Sequence, residues 1–349
     1  MPVISNDQVL INKQQSSSTT ITSTTHAASR PSTDSSSQDI KRPSPAEAPA
    51  AGGKRALLCG VTCRGAGGNI SRLEGPVNDV KEIKKLLIKH FGYTEECIRV
   101  LTDQEENKNK STIPTKENIE GSLKWLVKDA ESGHSLVFFF SGHGRLLRQP
   151  ESCHVCLVDC TGEGMIPNSY INSTIVRPLK EGVTLYAIVD ACHSGSILDL
   201  KYEYNQQSIN AEGRWIEKKS DDNQSKADQK ATNGGLAICL SACRDDVNTP
   251  ESNANSSGQG MAETSMGAMT YQLIKMVSKE HPAKVTYEDI LKKMHDLHVR
   301  SNIKRAPFVL IISSTGRSLL RDYQESQKIE EPVLSSSLKF QVSSKKFLL

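Results

Sequence analysis

No stretch of this chain is long and apolar enough to span a bilayer, so no membrane-spanning helix is expected. An excess of either charge is missing too. Lys and Arg number 43 against 40 Asp and Glu, a net of +3, which gives no electrostatic case for nucleic-acid or membrane binding. The N-terminus lacks a basic segment followed by an apolar core, and no secretory leader is expected. Its Ser-rich, acid-poor character is that of an organellar transit peptide, but the first arginine is Arg30 and no Arg-rich amphipathic pattern accompanies it. The glycines between Gly60 and Gly68 do not follow the order Gly-x-Gly-x-x-Gly, and no helix opens directly after them, so a dinucleotide-binding loop is disfavoured. Internal repeats are absent. The nine cysteines are odd in number and not spaced like a small secreted scaffold, so reduced thiols in the cytosol, or alternatively the nucleus, are expected. The sequons at Asn69-Ile70-Ser71 and Asn172-Ser173-Thr174 then go unused.

What is present divides unevenly. Residues 1–53 are rich in Ser, Thr, Pro and Ala, without apolar periodicity, and predict a disordered arm that cannot offset the entropy of ordering. Residues 54–349 carry alternating strand and helix signals. Ala56–Val61, Ile98–Leu101, Leu136–Phe140, Leu185–Val189 and Leu236–Leu240 read as buried strands. Between the first two, Val77, Val80, Ile83, Leu87 and Phe91 recur at helical spacing with Gly92 as the stop. Thr115 caps a second helix carrying Ile119, Leu123, Leu126 and Val127. Met269–Val277 and Thr286–Val299 read as further helices, and Thr286 with Asp289 has capping-box spacing. Val155–Val158, Phe308–Ser313 and Phe340–Val342 are further short strand candidates. This alternation predicts an α/β fold with a mostly parallel central sheet and helices on both faces. Tyr202–Gly235 breaks the pattern as a polar, charged segment.

Two strings stand at the ends of apolar runs: Ser141-Gly142-His143-Gly144 and Asp190-Ala191-Cys192-His193-Ser194-Gly195. Ligand sites in parallel sheets lie outside the carboxyl ends of strands. A cysteine nucleophile needs a base that arrives from elsewhere in the sequence, and His143 precedes Cys192 by 49 residues. His143 suits the base that takes the thiol proton and later protonates a leaving amine. The backbone N–H groups of Gly144 and Cys192 are candidates for an oxyanion hole. Asp190 has two readings: a carboxylate at a pocket floor that selects a cationic side chain, or a strand-end Asp making a local turn bond. His193, alternating away from Cys192, is expected to be a bystander. Cys153-His154-Val155-Cys156 with Cys160 has one zinc-ligand spacing but no second pair, and reads as structural thiols.

These residues resemble the metacaspases, cysteine peptidases of the caspase-like fold, from about Lys54 to Leu349. Besides the two strings, the resemblance is carried by Asn78-Asp79-Val80, Leu101-Thr102-Asp103, Pro114-Thr115, Leu198-Asp199-Leu200, Leu240-Ser241-Ala242-Cys243, Gly267-Ala268-Met269-Thr270-Tyr271 and the closing Phe347-Leu348-Leu349. It is nearest to the plant type I class, without the zinc-finger cysteines that many members carry in the arm. The resemblance implies a roughly eight-stranded sheet, a large-subunit-like part over 54–201, a charged linker over 202–235 open to self-cleavage, and a small-subunit-like part over 236–349. It implies a monomer in the cytosol, active on proteins or peptides at Arg or Lys, with Asp79 and Asp190 lining the basic-residue pocket. A role in programmed cell death or stress proteolysis follows from the resemblance alone. Family members bind calcium through an acid-rich loop after the histidine motif and an Asp-Asp pair. Here that loop is Arg145–Glu151 with one acid, the pair is Asn168-Ser169, and only Asp199 remains, so a weak or absent calcium site is expected. Pro76 stands where the family often has Cys. The competing reading is a silent member of the family acting as an interaction protein.

Overall fold

The computed structural model describes residues 53–63, 70, 72–104, 109–149, 152–205, 213–218, 230–242, 266–280, 282–303 and 332–349. The expected arm (all but Gly53), the loop at Gly65–Gly68, the strand at Phe308–Ser313 and Cys243 lie outside the described residues.

The apolar runs become strands, and the periodic segments between them become helices. In chain order these are β1 (Lys54–Gly60), α1 (Pro76–Phe91), β2 (Ile98–Thr102), α2 (Lys116–Val127), β3 (Ser135–Ser141), β4 (Gly144–Gln149), β5 (Ser152–Val158) and β6 (Met165–Pro167). There follow α3 (Asn168–Ile171), which runs on as a π-turn over Asn172–Val176, then β7 (Thr184–Asp190), β8 (Tyr202–Asn205), β9 (Arg214–Glu217) and β10 (Leu236–Ser241). The last elements are α4 (Ala268–Lys279), α5 (Tyr287–Ile303) and β11 (Val333–Ser336).

The main sheet has eight strands in the order β2-β1-β3-β7-β10-β11-β8-β9. The first five are parallel, and the last three join antiparallel. Helices cover both faces, so successive strand residues enter different cores. Leu57, Phe138 and Phe140 meet Ile119, Leu123 and Leu126 of α2. Leu58, Val137 and Phe139 meet Val80, Ile83 and Leu87 of α1, Leu273 of α4 and Ile290 of α5. Helix boundaries follow local chemistry. Pro76 occupies the first turn of α1, where its missing N–H costs nothing, and Gly92 closes that helix at φ 68°. Thr286 and Asp289 cap α5 reciprocally: the Thr286 N–H donates to Asp289 at 2.9 Å, and the Asp289 N–H donates to the Thr286 hydroxyl at 3.2 Å.

Three expectations are corrected. Part of the charged segment 202–235 is ordered as the β8–β9 hairpin at the sheet edge, anchored by Trp215, whose indole N–H donates to the Phe340 carbonyl at 2.7 Å. Arg145–Gln149 is strand rather than loop, because β4 pairs antiparallel with β5 from Gly144↔Leu157 to Gln149↔Ser152. Phe340–Val342 is not a strand; Phe340 instead packs against Trp215 and Tyr287, and β11 at Val333–Ser336 provides the pairing.

Phe347 ties the C-terminal segment to the core, edge-on to Phe91 at 6.2 Å and to Tyr287 at 5.4 Å. It is buried, and its N–H donates to the Val285 carbonyl at 2.9 Å. Phe347→Ala is expected to lower the unfolding free energy by about 3–5 kcal/mol, read from urea denaturation.

Candidate active site

The site is built where β3 and β7 end together. Their parallel register runs from Ser135↔Thr184 to Ser141↔Asp190. His143 and Cys192 each stand two residues beyond the last pair, and neighbouring strands are only about 4.8 Å apart. Two backbone bonds hold the histidine segment: the Gly142 N–H donates to the Asp190 carbonyl at 3.3 Å, and the Val158 N–H donates to the His143 carbonyl at 3.0 Å. Gly144 then passes against the cysteine turn. A Cβ at Gly144 would lie 2.0 Å from the carbonyl oxygen of Cys192, a contact only glycine avoids.

The extended backbone stops at Asp190, so alternation does not carry on to Cys192 and His193 as the sequence reading assumed. His193 sits in a turn at φ 53°, and the buried Ser194 hydroxyl donates back to the Val189 carbonyl at 3.4 Å. The side-chain bonds of Asp190 reach well beyond its own turn. Its Oδ2 accepts from both the N–H and the hydroxyl of Thr270, at 2.9 and 2.7 Å, eighty positions away in sequence. Asp79, in the first turn of α1 and fully buried, accepts from the Ser141 hydroxyl at 2.7 Å and from the Gly267 N–H at 2.9 and 3.1 Å.

The two acids therefore converge on the N-terminus of α4. The point where a Gly267 Cβ would stand lies 2.2 Å from Asp190 Oδ2 and 2.9 Å from Asp79 Oδ2. Both carboxyls are held above their ordinary range. Burial, then the charge of Asp190, pushes Asp79 up to about 7 against the pull of its bonds to Ser141 and Gly267. Burial likewise raises Asp190, opposed by Thr270. The helix N-terminus offsets part of that cost through oriented N–H groups. Ser141, Gly267 and Thr270 were not singled out for any role in the sequence. Each stood within a motif of the family resemblance, but none was given a part beside the two acids.

Asp199, the remaining acid for calcium, lies at φ 46° near the end of the turn that follows Cys192 and pairs with the Lys230 ammonium at 3.1 Å. Nearby carbonyls are engaged by amides. Asn168 donates to Ser196 O at 3.4 Å, and Asn172 donates to Leu198 O and Asp199 O at 2.8 and 3.3 Å. Among the described residues no three His, Cys, Asp or Glu side chains converge as a metal site. This donor-filled setting does not fit a calcium ion, which needs several free oxygens. Cys156 and Cys160 are buried thiols, and burial and the Asp159 charge push Cys160 up to about 11; the side chains of Cys153 and His154 lie outside the described residues. Gly144→Ala is expected to lower stability by about 1–3 kcal/mol through overpacking against the Cys192 carbonyl, measured by chemical denaturation.

The chain is similar to known proteins over most of its length. Residues 54–201 match the family model described as "Metacaspase, peptidase C14 domain". Metacaspase-3 of Arabidopsis thaliana is 36% identical over 307 residues, covering 85% of this chain and 76% of that one. Metacaspase-1 of the same plant is 34% identical over 309 residues, covering 85% and 79%. A metacaspase-1 of the yeast Meyerozyma guilliermondii is 38% identical over 165 residues, covering 45% of this chain and 39% of its own. An eight-stranded α/β sheet and this extent of identity lead to one conclusion: the chain belongs to the metacaspase family and is a cysteine-type peptidase.

Proposed function

We propose that the protein hydrolyses peptide bonds after Arg or Lys, with Cys192 as nucleophile and His143 as its base. The observation that carries this reading is the register Ser141↔Asp190, with Gly144 pressed against the Cys192 carbonyl. His143 takes the thiol proton as the Cys192 sulfur attacks the scissile carbonyl carbon. The C–N bond breaks, the same proton passes to the leaving amine, and a thioester remains. Water, deprotonated by His143, then attacks the thioester and regenerates the thiol. The N–H groups of Gly144 and Cys192 face the developing oxyanion.

Asp79 and Asp190 supply the specificity. Two neighbouring carboxylates match the fork of a guanidinium better than an ammonium, so Arg is preferred over Lys. An aspartyl side chain would meet like charge there. The lysines and Arg214 of the segment 202–235 make it a self-cleavage target of the same chemistry.

Fluorogenic peptides ending in Arg, Lys or Asp test the reading. Cleavage after Arg and Lys, lost in Cys192→Ala, is expected. Asp190→Asn should lower kcat/KM for the Arg peptide by between about ten- and a hundredfold, the worth of a charge-assisted contact. Folded wild type that cleaves none of the three would leave the silent interaction-protein reading instead.

The pocket acids also set a pH dependence. Asp79 holds its proton more tightly when folded, at about 7, than at its ordinary 3.8. Its contribution to stability is complete below about 3.8 and is lost as pH rises through about 7. Asp79→Asn is therefore expected to flatten the fall in thermal stability between pH 4 and 7, while weakening hydrolysis after Arg. In the wild type, kcat/KM for the Arg peptide should rise through about pH 7 as Asp79 gains its charge.

A further inference from the structure

The turn that carries Cys192 runs from Ala191 to Leu200, between β7 and β8, and has no regular ladder of its own. Ile197, Leu198 and Leu200 sink into the core, and the rest of the turn is gripped by side chains from outside it. Asn168 and Asn172 grip the carbonyls of Ser196, Leu198 and Asp199 from α3 and the π-turn. Two lysines grip it from the charged segment. Lys218, one residue past β9, donates its ammonium to the Gly195 carbonyl at 3.2 Å and pairs with Glu203 at 3.1 Å. Lys230 pairs with Asp199 at 3.1 Å, and its side chain is only 14% exposed.

A turn that presents clustered carbonyls and a carboxylate is a setting a hard cation would occupy. In this chain the cations are covalently attached. An ammonium brings three donors and a unit charge, enough to engage one carbonyl or carboxylate and a second acceptor at once. Because it is tethered, its occupancy does not depend on the concentration of a free ion. Resting on the reading of Cys192 as nucleophile, we propose that Lys218 and Lys230 are positioning residues that hold the cysteine turn in place of a divalent cation. The peptidase is accordingly ready without one.

Hydrogen exchange of the full chain, followed in peptides covering residues 192–200, tests this without relying on turnover. Wild type, Lys218→Met, Lys230→Met, the double variant and Lys230→Arg are compared with calcium chloride or with chelator. In wild type the protection of 192–200 should be the same in both. In the double variant the turn should exchange about tenfold faster, the worth of losing charged hydrogen bonds, with β3 and β7 unchanged. Lys230→Arg should retain protection. Should the double variant fail to fold, Lys230→Met against Lys230→Arg makes the same comparison.

Hydrolysis of the Arg peptide adds a second readout. Chelator should leave the wild-type rate unchanged. The double variant should lose about tenfold in kcat with KM little altered, since Asp79 and Asp190 are untouched. Protection of 192–200 that rises when calcium is added to wild type would overturn the proposal, as would a double variant that exchanges like wild type. A wild type without Cys192-dependent hydrolysis would end the peptidase reading, while the exchange data would still decide what holds the turn.

Discussion

Everything at the site depends on the parallel pairing of β3 with β7. Seven successive residues of each strand are matched, and both strands stop at the same level. The segments that carry His143 and Cys192 thereby leave the sheet at the same level. The same pairing places Ser141 and Asp190 opposite one another, and each contributes to the acid cluster: Ser141 through its bond to Asp79, Asp190 directly. A shift of one residue in either strand would turn every side chain to the opposite face and break both arrangements together. That register is strongly specified because both faces are buried, with Phe138 and Phe140 committed to one core and Phe139 to the other.

The acid cluster shows how a site can work against the fold that holds it. Asp79 is wholly buried and faces a second carboxyl, an arrangement that ordinary packing would not select. Its cost is lowered by the first turn of α4 and by Ser141, which aim N–H and O–H groups at the oxygens. Sites where local rules are broken and then compensated nearby are where function is usually found. Gly267 completes the arrangement because a side chain there would collide with both carboxylates.

Much of this was legible in the residues themselves. The five parallel strands were visible because strands buried on both faces are written as continuous apolar runs, and α1, α2 and α5 because caps and stops bracket their periodicity. His143, Gly144 and Cys192 stood out through their small, flexible neighbours at strand ends. The misses have physical causes. β11 is four residues, Val-Leu-Ser-Ser, too short and too polar to signal burial. β8 and β9 are pinned by contacts of Trp215 with Phe340, 125 positions away, which no local pattern records. Extrapolating strand alternation past Asp190 failed because the chain turns there. Asp79 entered only through the family resemblance, since nothing in its own helix marks it. Lys218 and Lys230 lie in a polar stretch that reads as solvated, and only their partners give them meaning.

The strand order carries one more consequence. In the sheet, β7 is followed by β10 and β11 and then by β8 and β9, so the strands that precede Lys218 and those that follow Lys230 are interleaved rather than stacked end to end. A cut between Lys218 and Lys230 would leave two polypeptides that cannot part without unzipping β7 from β10 and β8 from β11. The two lysines would then sit on different fragments while still gripping the same cysteine turn. The molecule can thus be severed in sequence and stay whole in space, with the turn itself among the joints that clasp its halves.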